Sequence, residues 1–132
     1  MAGAATGDDM SRYRIQDASG RGPWRPGFSH QWIDPEKDDT LCPPMMADFP
    51  QWTSQVAKAQ REGLAYFGCC VEGIRGLHRW FTPLEIARLR LHGFRLVDAE
   101  PLTPIAVSPH QIIGAWRLPL RMLPVLDWSV AA

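Results

Sequence analysis

Two adjacent cysteines, Cys69 and Cys70, are followed by His78 and later His110, and a thiol beside an imidazole is the minimal unit of covalent nucleophilic catalysis. Nothing around them develops that chemistry. The Gly68-Cys69-Cys70 context matches neither familiar thiol-protease signature, and no spacing brings a histidine to either sulfur. A thiol-dependent enzyme is therefore the third of three functional readings, and no catalytic residue is assigned. Metal chemistry fares no better. Cys42, Cys69, Cys70, His30, His78, His92 and His110 contain no Cys-x-x-Cys and no His-x-x-x-His pair. Neighbouring residues of a strand point to opposite faces, so Cys69 and Cys70 do not readily share an ion. Gly20-Arg21-Gly22 and the Gly73/Gly76 pair are too short for a phosphate loop. The acids Asp34, Glu36, Asp38 and Asp39 lack the glycine and the distal glutamate of a calcium loop. No cofactor and no metal is expected.

Arginine and tryptophan offer more. Arg75, Arg79, Arg88, Arg90 and Arg95 fall within some twenty residues, interleaved with Trp80, Phe81 and Phe94. Arginine beside aromatics suits phosphate contact and base stacking, so nucleic-acid binding through a helix over 83–92 is the second reading. Against it stands the balance of the whole chain, fourteen basic and fourteen acidic residues, where nucleic-acid binders usually carry a basic excess. Protein recognition meets fewer obstacles. Hot spots are rich in tryptophan and arginine, and Trp24 and Trp32 lie in a segment without periodicity. Trp24, Trp32, Arg75, Arg79, Arg88, Arg90 and Arg95 are therefore the expected partner-binding residues. The leading reading is a non-enzymatic interaction protein, an inhibitor or adaptor. Small neutral chains of this kind include phage and mobile-element accessory proteins that act on host defence, an association rather than a physical deduction.

These side chains need elements to position them. The strongest local signal is Thr82-Pro83-Leu84-Glu85: a cap, a proline at the first helical position, and a glutamate closing a capping box. Phe81 and Ile86 stand at staple positions, Gly93 ends the helix, and Phe94 is placed to fold back on Leu89. Leu84, Ile86, Leu89 and Leu91 supply its apolar side, while Glu85, Arg88 and His92 share another face. A strand over 94–98 follows. Trp52, Val56 and Ala59 predict a helix ending near Gly63, with Asp48 as its cap. Residues 64–71 read as a strand buried on both faces, residues 72–80 as a turn-rich connector, and 105–107 as a short strand. Ser108-Pro109-His110-Gln111 repeats the capping box and predicts a helix to about Leu118. The apolar tail, residues 120–130, is expected to dock on the core or on a second copy, which makes a homodimer an alternative.

Together these signals predict a small single α+β domain of about three helices on a small sheet. Residues 1–18 are read as a flexible N-terminus, 19–50 as an irregular proline- and aromatic-rich arm, and 51–132 as core and tail. Charge is uneven: residues 1–48 carry eight acids and five bases, residues 49–97 three acids and seven bases, and the remainder three acids and two bases. No basic start or apolar run marks a secretory leader, and no apolar stretch approaches membrane-spanning length. An odd count of three cysteines favours reduced thiols. The expected location is cytoplasmic, with a protein partner, nucleic acid as the alternative, and no membrane.

Overall fold

The computed structural model describes residues 10–37 and 42–132. Among them the chain runs β1 (Arg12–Gln16), a 3-10 turn (Ser29–Gln31), α1 (Met45–Asp48), α2 (Trp52–Arg61), β2 (Tyr66–Glu72), α3 (Gly73–Trp80), α4 (Pro83–Leu91), β3 (Arg95–Asp98), β4 (Thr103–Val107) and β5 (Ile112–Trp116). Two further 3-10 turns close it, Leu120–Met122 and Trp128–Ala131. The result is an α+β domain whose antiparallel sheet has the order β3-β1-β2-β5-β4.

Helix α4 forms as its capping residues require. Thr82 Oγ1 accepts the Glu85 N–H at 3.2 Å, and Glu85 Oε1 accepts the Thr82 N–H at 3.0 Å. At the far end the Phe94 N–H reaches Leu89 O and the Gly93 N–H reaches Arg90 O, both at 3.0 Å. That is a Schellman ending, and Gly93 takes the left-handed φ of +83° that it needs. Helix α2 likewise presents Ala59 to the core and ends before Gly63. Asp48 does not cap it; that carboxylate instead accepts from Ser108 Oγ and Gln111 Nε2.

Edge strands β3 and β4 are joined by residues 99–102 alone. A flat sheet would separate them by four strand spacings, roughly 19 Å, while five residue steps reach at most about 18 Å. The sheet therefore curls. Its weakest seam is visible: β1 pairs with β3 over four residues, but with β2 only at Arg12/Glu72 and Tyr13/Val71. One face packs Tyr13, Ile15, Val71 and Leu96 against Leu77, Trp80, Phe81 and Leu89 of the α3–α4 region. Farther along it, Phe49 meets Ile113 and Ala106, and Ala59 meets Ala115. The opposite face packs Cys70, Val97, Ile112 and Trp116 against Ala99 and Leu123.

Three expectations are corrected. Residues 12–16 are not part of a flexible terminus: Arg-Tyr-Arg-Ile-Gln alternates polar and apolar, and forms a strand between β3 and β2. Residues 1–9 of that segment lie outside the described residues. The 72–80 connector is helix α3, because Leu77 and Trp80 bury one side. The helix packs on β2 at its Gly76, where a Cβ would stand in ordinary contact, 3.5 Å from Val71 Cβ. Finally, Ser108 does accept the backbone N–H groups of His110 and Gln111, but strand β5 follows instead of a helix. Ile112, Ile113 and Trp116 are strand formers, and β2 and β4 offer pairing on both sides.

The arm is held by one buried ion pair. Glu85 is fully buried; besides its capping bond it accepts Lys37 Nζ at 2.9 Å and the Asp34 N–H at 3.0 Å. Lys37 Nζ also donates to Trp80 O at 2.9 Å. Removing one partner of such a pair strands the other charge, so Lys37→Met should cost about 3–5 kcal/mol in urea unfolding. Adding Glu85→Gln should recover part of that loss. Equal losses in single and double variants would show that the charge is not what holds the arm.

Candidate functional site

Of the two tryptophans expected at an interface, only one is on the surface. Trp32 is completely buried, with Nε1 donating to Pro23 O at 3.1 Å, and it belongs to the main core with Leu77 and Phe81. It is not a free partner-binding residue. Trp24 remains half exposed and packs edge-on against Trp32 at 4.8 Å and Trp80 at 5.9 Å. The arm thus seals the core with one indole and leaves the other at the surface.

The five arginines divide. Arg75 and Arg79 on α3 border a cleft of about 260 Å³ together with Glu72, Ser108 and His110, and Arg79 donates to Pro109 O at 3.0 Å. Arg88 reaches back to the carbonyls of Trp32 and Ile33. Arg90 stands over the Trp128 ring, 5.6 Å from its centroid. Arg95 is exposed on the edge strand β3.

Helix α4 carries the least expected feature. Its inward face is built from Glu85 and Leu89, both fully buried, with Ile86 packed beside them. The face read as polar from the sequence is therefore partly the core-facing one. Outward point Leu84, Ala87 and Leu91, spaced i, i+3, i+7, with Leu84 47% and Leu91 88% exposed. At about 100° per residue, Arg88 and Arg90 flank this stripe on its two sides. A helix apolar on both faces is half of a buried arrangement. The signal that could have revealed it is Glu85, whose capping and ion-pair partners pull it to the protein side.

A second feature is a cavity of about 320 Å³ at the loose seam between β1 and β2, lined mainly by apolar and aromatic residues. Arg14 takes part in it and was not singled out from sequence. Its guanidinium lies where the β1–β2 ladder stops, donating to Gln16 Oε1 at 2.9 Å, Cys69 O at 2.8 Å and Gly20 O at 3.1 Å. Gly68 leaves the room: a Cβ there would meet Arg14 Nη1 at 2.8 Å.

The thiols are poorly suited to attack. Burial pushes both up against the opposing charge of Arg14, Cys70 to about 12. Among the described residues no group of three or more His, Cys, Asp or Glu side chains is placed to hold a metal ion, and no helix is long and apolar enough to cross a membrane.

The raised Cys70 value fixes the sign of a pH effect. A thiol that stays protonated longer in the folded chain than in the unfolded one stabilises fully below its ordinary value of 9.0. That contribution is lost as pH rises toward 12, because the unfolded chain then binds fewer protons. Stability should fall over this window, and Cys70→Ala should flatten the fall. Native Cys70 should resist iodoacetamide at pH 7.5; labelling as fast as in urea would contradict its protonated, buried state. Compared with known proteins, the chain matches no family model, no curated protein and no solved structure.

Proposed function

We propose that this protein is a non-enzymatic interaction protein, an inhibitor or adaptor, that docks a protein partner on the outer face of α4. One observation carries the reading: the exposed stripe Leu84, Ala87 and Leu91 at helical spacing, on a helix whose opposite face already fills the core. Single exposed leucines are ordinary, whereas a periodic stripe flanked by arginine has the composition of an anchor. Covering a leucine side chain fully contributes about 1.5–3 kcal/mol. The helix is capped at both ends before any partner arrives, so docking spends little on ordering it.

Charge selects the partner's rim. Arg88 and Arg90 bracket the stripe, and exposed Arg95 begins the following strand. A complementary surface is an apolar groove bordered by Asp or Glu, the arrangement that accelerates encounter and rejects basic competitors. Phosphate backbones satisfy the arginines but leave the leucines wet, so nucleic acid is the weaker fit.

The test pairs capture with a surface variant. Leu84→Gln with Leu91→Gln removes the stripe but touches no buried side chain, so the melting temperature should stay within a few degrees. Wild-type protein should retain a specific nuclease-resistant partner that the double variant loses, and the purified pair should bind with the same dependence. Equal retention by the variant, nuclease-sensitive capture, or self-association abolished by the variant would each overturn the reading.

A further inference from the structure

We propose that the cavity at the β1–β2 seam binds a small organic monocarboxylate with an apolar body, its carboxylate held by Arg14. The proposal is independent of the α4 surface and rests on a different set of residues.

Arg14 carries a charge with no close counter-ion among the described residues. Guanidinium groups stay protonated in proteins, and enclosing one without an anion is costly. Arg14 is nonetheless surrounded by neutral acceptors: the Gln16 amide and the carbonyls of Cys69 and Gly20. Among the described residues no carboxylate lies within ion-pair distance of it; nearby Asp17 pairs instead with Arg25 at 3.4 Å. Desolvation is the largest influence on Arg14 and lowers its proton affinity; the thiols of Cys69 and Cys70 and the more distant Asp17 oppose that shift without cancelling it. A bound anion would supply the close counter-charge that the described residues do not.

Arg14 also has hydrogen-bond capacity to spare. A guanidinium has five N–H donors. Nε, Nη1 and Nη2 each make one bond within the protein, which leaves one donor on each terminal nitrogen. Two donors on a planar fork match the two oxygens of a carboxylate. Arg14 is also the only Lys or Arg in the cavity lining. A singly charged group is therefore favoured over a phosphate dianion, which recruits several cations.

The walls specify the rest of the molecule. Tyr13, Ile15, Val71, Trp80 and Phe81 present apolar surface, and Trp24 and Pro44 are the exposed members of the lining. About 320 Å³ lies at the small end of ligand pockets and suits a chain of about ten carbons or a compact aryl acid. The thiols of Cys69 and Cys70 are held protonated, so they add no competing negative charge.

The experiment is a titration of the full chain, followed by the tryptophan indole N–H resonances. The probes are decanoate, decanol and decylammonium. Decanoate should shift Trp24 and Trp80 while leaving Trp116, on the opposite face of the sheet, in place. It should bind roughly tenfold or more tightly than decanol, the worth of a charge-assisted pair, and decylammonium should bind more weakly still. Equal affinity for acid and alcohol, or no selective shift of Trp24 and Trp80, would overturn the proposal.

Arg14→Gln should erase the preference for acid over alcohol. Because Arg14 also bridges the strands, a second variant keeps the test clean. A Cβ at Gly22 would meet only Arg14, at 3.6 and 4.0 Å, in ordinary contact. Gly22→Leu should therefore fold, crowd the guanidinium, and weaken decanoate at least tenfold. A folded Gly22→Leu protein that binds decanoate as wild type does would overturn it.

Discussion

The arm of this protein depends on the carboxylate of Glu85. A fully buried acid in a small domain is costly unless every lone pair finds a donor, and here the donors come from three places. The Thr82 N–H belongs to the start of its own helix, while Lys37 Nζ and the Asp34 N–H come from the arm. Lys37 in turn donates to Trp80 O, where α3 ends. One carboxylate thus starts α4, fixes the α3–α4 junction, and pins an arm whose own regular structure is a 3-10 turn and the four-residue α1. Trp32 and Phe28 can then pack on the core that α3 and α4 build.

Arg14 plays the converse part at the β1–β2 seam. It too is a charge turned toward the protein, but it replaces backbone pairing rather than joining elements through a counter-charge. Where β1 departs from β2, its guanidinium donates to the Cys69 carbonyl, and the missing side chain of Gly68 makes space for it. The seam permits the curl that a four-residue link between edge strands demands. It also leaves a cavity that a regular ladder would have closed. Strain relief and binding potential share one cause.

The tail completes the enclosure. Leu120 and Leu123 cover the second face of the sheet. Val125 bridges Val97, with backbone bonds from Asp98 to Pro124 and from Leu126 to Leu96 along the β3 edge. Ala131 then enters the main core on the first face. An exposed strand edge invites pairing with other chains, and this segment occupies that edge. Leu120, Leu123, Leu126 and Trp128 of the tail pack within their own chain, while Met122, Val125 and Val130 stay exposed.

Local chemistry was legible in the sequence wherever a motif closes on itself. Thr82, Glu85, Gly93 and Phe94 interact across three to five residues, so the α4 helix and its ending follow from order alone. The α+β class follows similarly from alternating helical and strand patterns. The strand at Arg12–Gln16 carried a period-two pattern, but five residues near a terminus weigh little until a sheet accepts them. Ser108 to Gln111 shows the limit most clearly: the Ser108 hydroxyl accepts its capping bonds, but the Gln111 side chain turns to Pro43 and Asp48, and the chain continues as a strand because pairing on both sides outweighs what one cap contributes. The tertiary structure alone decided that Trp32 is core, that Arg14 sits at an open seam, and that α4 turns Glu85 inward and Leu91 outward. Each of these depends on partners dozens of residues away, and a sequence states which groups need partners without stating where those partners will be.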